Sequence, residues 1–136
     1  MLLADGRAVH DELATNAPEA IADLSARRGA YFGGAAGVVG NVFEPGHRGL
    51  VGIRLRRDEL ARFAPHTQRR LAVLAQTIDR HTIVLPTNVG SGYVVNNRRW
   101  LHGRTAFAGP RTMCRALVDP RPEWRIPAGF TPGAVS

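Results

Sequence analysis

The sequence predicts an α+β fold, mostly β with helices, and three observations predict it. Helical periodicity is confined to an opening region over residues 1–28 and one inserted helix at about 66–80. The remainder of 29–118 holds short β-type runs parted by glycines and turn residues. A tail over 119–136 carries Pro120, Pro122, Pro127 and Pro132, and so many prolines exclude regular structure. Helices followed by strands with one helix inserted are the pattern of a segregated α+β domain. A chain of 136 residues makes one domain with a modest core.

Each element has a local reason. Leu3 to Glu12 read as the start of a helix, with Asp5 as its cap and Ala8, Val9 and Leu13 as a partial apolar stripe. A second helix starts after Thr15 or Asn16, either of which can cap it. Pro18 suits its first turn and Glu19 the positive end of its dipole. Ile21 and Leu24 share a face, and Arg27-Arg28-Gly29 supplies the stop. From Ala30 the period changes. Tyr31-Phe32, Val38-Val39 and Val42-Phe43 are short β-type runs, and Val51, Ile53 and Leu55 alternate with Gly52, Arg54 and Arg56 as a half-buried strand.

Asp58 to Phe63 suits a helical turn that Pro65 interrupts. His66 to Arg80 is the strongest helix, with Leu71, Leu74, Ala75 and Ile78 on one stripe. Thr82 to Leu85 is a strand. Asn88 to Gly92 turns the chain into an apolar run at Tyr93, and a further run from Arg111 to Val118 reads as a strand. Trp124 and Phe130 are the expected anchors of the tail.

Composition bounds the function. A hydrophobic share of 44% argues against disorder. No apolar run nears the ~20 residues of a membrane span. Met1-Leu2-Leu3 followed at once by Asp5 is not a secretory signal, so a soluble cytoplasmic protein is expected. Cys114, the single cysteine, excludes an internal disulfide and a thiolate zinc cluster, and its apolar surroundings predict burial. The net charge is +7, and all 18 basic residues are arginine. They spread from Arg7 to Arg125 with no interleaved aromatic platform, which argues against nucleic acid. An arginine-rich nucleic-acid module stays as an alternative that a steep salt dependence would reveal.

Chemistry gathers near the C-terminal third. Tyr93-Val94-Val95-Asn96-Asn97-Arg98-Arg99-Trp100-Leu101-His102-Gly103-Arg104-Thr105-Ala106-Phe107 leads through Gly109-Pro110 to Arg111-Thr112-Met113-Cys114-Arg115. A histidine where a strand meets a turn, with arginines following, suits a metal and an anion together. This pattern resembles the C-terminal half of the iron(II)/2-oxoglutarate-dependent dioxygenases of the taurine dioxygenase and clavaminate synthase type, with the asparagine-oxygenase-like branch nearest. The resemblance implies part of a double-stranded β-helix, the jelly-roll barrel. It implies Fe(II) and 2-oxoglutarate as cofactors, and hydroxylation of a small molecule such as an amino acid.

By that resemblance His102 is the distal histidine of a two-histidine, one-carboxylate iron set. Arg111 grips the far carboxylate of 2-oxoglutarate through a charge-assisted fork, and Arg115 lies near the oxoacid or a substrate anion. On a strand those two arginines share a side, and at ~3.3 Å per residue they stand roughly 13 Å apart, so separate duties are expected. Asn97 shapes the turn ahead of the histidine. Arg104 is either a contact behind the metal ligands or a surface residue. The pattern departs from the family at Gly90-Ser91, where Gly-Asp is usual, and at Asn96-Asn97, where Asp-Asn is usual.

The first metal motif of the family, His-x-Asp or His-x-Glu, would precede Leu3. His10-Asp11-Glu12 spells one, but on a helix residues two apart diverge by about 200° and do not grip one ion. The expectation is therefore an incomplete site. Either the chain is the C-terminal part of an oxygenase, or it is a non-catalytic barrel fragment binding a small anion or partner chain. Unpaired edges predict self-association or a separately encoded N-terminal half.

Overall fold

The computed structural model describes residues 1–34, 36–104, 109 and 112–134. In chain order the elements are β1 (Leu2–Asp5), α1 (Gly6–Asn16), α2 (Pro18–Ser25), β2 (Ala30–Phe32), β3 (Val38–Gly40), β4 (Phe43–Pro45), β5 (Val51–Ile53), β6 (Ala61–Phe63), α3 (Pro65–Gln68), α4 (Leu71–Arg80), β7 (Thr82–Val84) and β8 (Trp100–Gly103). Short 3-10 turns fall at His47–Gly49 and Pro122–Trp124.

The chain makes a mixed α+β structure of small antiparallel sheets, ordered β7-β1-β8, β3-β2-β6 and β4-β5. Among the described residues these do not form a double-stranded β-helix. A jelly roll needs two opposed sheets that share a core. Here the core lies instead between the helices and one face of the first and last of these sheets. Ala4, Val9, Leu13, Leu24, Val42, Phe43, Ile53, Leu74, Ile78 and Phe130 form it.

Capping decides where the first helix starts. The Asp5 backbone is extended, at φ −75° and ψ 113°, and its carboxylate accepts from the Arg7 N–H at 3.0 Å. Leu3 therefore belongs to a strand, and the helix expected from Leu3 begins only at Gly6. Val9 and Leu13 are buried on its inner face. Ala17, at φ −152° and ψ 62°, breaks the helix, and Pro18 opens α2 with no side-chain cap from Thr15 or Asn16.

Other expectations changed as well. Asp58 to Phe63 is not a helical turn. Asp58 accepts from the Leu60 N–H, and the chain then extends as β6 against β2. The helix expected over 66–80 is divided at Arg69-Arg70. Both of those side chains reach Asp23 on α2, Arg70 Nε at 2.7 Å and Arg69 through two contacts at 3.1 and 3.2 Å. The runs at Tyr93 and at 112–118 form no strand, since no neighbouring chain offers them a ladder among the described residues. Cys114 is exposed for the same reason, its apolar neighbours having nothing to pack on. Of the tail anchors, Phe130 is buried at 3% exposure and Trp124 stands out at 62%. No described helix is long and apolar enough to cross a membrane.

Candidate functional site

The site is built on β8. This strand lies antiparallel to β1, with Leu3 opposite His102 and Asp5 opposite Trp100. Ala4 faces the helical core, so alternation puts Leu3 and His102 on the other face of the sheet. His102 is exposed there. Arg104 is also exposed, and beside Gly103 it lines a small recess with Met1, Tyr93 and Met113. Arg115 is exposed, in a segment without regular structure rather than on the expected strand. Arg111 lies outside the described residues.

The turn ahead of β8 is tethered from several sides. Asn96 organises it. Its side-chain oxygen accepts from the Arg98 N–H at 3.0 Å, and its carbonyl accepts from the N–H groups of Arg99 and Trp100, each at 2.9 Å. Its amide donates to the Pro127 carbonyl at 2.8 Å, which ties the tail to the turn. The role expected of Asn97 is thus filled by Asn96. An asparagine side chain closes a turn onto the N–H two residues on, but Asn97 is spaced from Arg99 as Asn96 is from Arg98, so only the structure chooses between them.

Backbone and charge hold the turn from other sides. Ile53 N–H donates to the Arg98 carbonyl at 2.9 Å, and Gly6 N–H donates to the Arg99 carbonyl at 2.8 Å. Arg98 pairs with Glu44. Arg99 forks onto Asp5, Nε to Oδ1 at 2.9 Å and Nη2 to Oδ2 at 2.7 Å. Burial opposes the charge on Asp5, but the Arg99 fork and the Arg7 N–H outweigh it and hold the carboxyl below its ordinary pKa of 3.8. Sequence reasoning recognised Asp5 only as a cap.

His10 and Glu12 do not converge. His10 is buried edge-on between Phe43 and Phe130, at ring distances of 5.0 and 5.8 Å, and its Nδ1 lies 3.3 Å from Asp11. Glu12 instead meets Arg80, and its other oxygen lies 2.7 Å from His81 Nε2. The Arg80 hydrogen bond, with help from His81, keeps the Glu12 carboxyl below its ordinary range against the cost of burial. Both residues fix α1 to other elements, as the helical angle between them requires.

The described residues do not fit an iron ion. No group of three or more His, Cys, Asp or Glu side chains among them could hold a metal. The carboxylate on the strand beside His102, Asp5, has both oxygens engaged by Arg99. An open groove of about 240 Å³ lies elsewhere, between Leu55, Arg57, Phe63, Leu71 and Leu74.

Neither a curated protein nor a solved structure matches the chain. Residues 55–117 match the family model described as Taurine catabolism dioxygenase TauD, TfdA family, and this stretch, which runs through α3, α4, β7 and β8 and takes in His102, supports the taurine dioxygenase-like family.

Proposed function

We propose that the chain is the histidine- and arginine-bearing portion of an iron(II)- and 2-oxoglutarate-dependent oxygenase that hydroxylates a small molecule, an amino acid being the class considered. The observation that carries this reading is the family match over 55–117, which contains His102, Arg111 and Arg115 together. In it His102 offers one neutral imidazole to the metal. Arg111 and Arg115 serve the oxoacid and a neighbouring anion, since a planar guanidinium fork suits a carboxylate. The other histidine and the carboxylate come from residues outside this sequence. Iron and 2-oxoglutarate, when bound, supply the oxidising chemistry, and the chain supplies binding and orientation.

A second reading is favoured by the missing ligand set and the engaged Asp5 carboxylate. It is a non-catalytic fragment that binds a small anion or a partner chain. Calorimetric titration with 2-oxoglutarate, with and without iron(II) under argon, separates the two. The oxygenase reading expects iron to tighten 2-oxoglutarate binding, His102→Ala to abolish that gain, and Arg111→Ala to weaken binding about tenfold or more, as loss of a charge-assisted pair does. Anion binding that ignores both iron and His102 favours the second reading.

A further inference from the structure

The groups that hold the turn before β8 differ in strength. Arg98, paired with Glu44, has a side chain 49% exposed, and an ion pair that open to water contributes little. The Asp5–Arg99 fork is better sheltered, at 22% and 36% exposure, and it is two-pronged. Such a fork sets direction as well as distance. Both partners start from fixed backbone. Asp5 ends a strand paired on both sides and caps α1, while the amide of Arg99 is held by Asn96.

Register is what this arrangement has to secure. The β1–β8 ladder joins four residues to four, from Leu2↔Gly103 to Asp5↔Trp100. So short a ladder specifies register weakly, and a slip of one residue would carry His102 to the opposite face. The apolar faces help only in part: Ala4 is in the core with the half-buried Leu101 opposite it packed on that core, while His102, opposite Leu3, is exposed. The Gly6 N–H to Arg99 carbonyl bond carries the contact one step past Asp5, and the fork adds a side-chain lock at that end.

We propose that Asp5 and Arg99 are a positioning pair for His102, their fork fixing the register of β8 on β1 and so the face on which the imidazole stands. The importance of that face rests on the oxygenase reading. The pair itself is tested without metal or oxoacid, so its failure is distinct from a failure of the titrations above.

The experiment is NMR on the full chain with Arg99→Lys and Arg99→Gln. Lysine keeps the charge but loses the planar fork, and glutamine loses both. Two readouts are followed: amide exchange of Trp100–Gly103 relative to that of Leu71–Arg80, and the proton contact between the His102 ring and Leu3. Both variants are expected to speed exchange in β8 about tenfold while leaving α4 unchanged, and to weaken the His102–Leu3 contact. Asp5→Asn/Arg99→Gln is expected to match Arg99→Gln rather than add to it. A purely structural role would raise exchange in β8 and α4 in parallel. That result overturns the proposal, as does an unchanged β8 in Arg99→Lys or a β8 already unprotected in the wild type. Should Arg99→Gln not fold, Arg99→Lys alone decides.

Discussion

Gly6 donates its backbone N–H to the Arg99 carbonyl at 2.8 Å, and a Cβ at Gly6 would stand only 2.5 Å from that same oxygen. It would also stand 2.5 Å from the Ile53 side chain. The first residue of α1 is therefore a glycine because the turn before β8 passes directly over it. Gly6→Ala gains helix propensity of about 1 kcal/mol at most. The overpacking against backbone costs about 1–3 kcal/mol. A net loss of stability is expected, read as a lower urea midpoint, with β8 amides the most affected.

Asp23 joins α2 to the α3–α4 junction. Hydrogen bonds from Arg69 and then Arg70 hold its carboxyl down to about 2, from an ordinary value of 3.8. A depressed carboxyl stabilises the folded state above its unfolded pKa, and that stabilisation is lost as pH falls from 3.8 towards about 2. Asp23→Asn should therefore be less stable than the wild type at neutral pH, with the two urea midpoints converging at the acid end. Midpoints that stay apart by the same amount throughout would show that the charge is not what Asp23 contributes.

Phe43 is fully buried and meets the edge of His10 at 5.0 Å. Phe43→Ala is expected to cost about 3–5 kcal/mol. It also removes one wall of the His10 slot, whose other wall is Phe130 from the tail. Loss of the tail should follow, seen as early proteolytic cleavage between Trp124 and Phe130. Leu74→Ala, about 2–5 kcal/mol, serves as a control that spares the His10 slot.

Arg28 sits at φ 59°, in the left-handed region, just after α2. A residue with a side chain costs about 1–2 kcal/mol there. Glycine relieves that cost but adds entropy to the unfolded chain, about 0.4–1 kcal/mol. Arg28→Gly is expected to stabilise by about 0.5–1 kcal/mol net, as a higher thermal midpoint.

The elements that were legible are those whose causes lie close together in the chain. The stripe of Leu71, Leu74 and Ile78 and the Asp5 cap depend on residues within a turn or two, and both appear as expected. The turn chemistry before His102 was legible in kind, though Asn96 rather than Asn97 performs it. The strand expected around Arg115 was not formed. Its apolar alternation is a local property, but a strand also needs a partner edge, and none of the described strands supplies one.

By itself the sequence determined that helices lie near 6–25 and 65–80, that Asp5 caps the first of them, the basic charge of +7 and the motif around His102, because periodicity, caps and motif spacing are set by near neighbours. Only the tertiary structure decided that Asp5 faces Arg99 across a separation of 94 residues, that β1 is the middle strand of its sheet, and that His102 stands on the face away from the helices. Those relationships arise when two strands from opposite ends of the chain lie side by side. A ladder of backbone hydrogen bonds is nearly blind to side chains, so nothing local names the partner or its register.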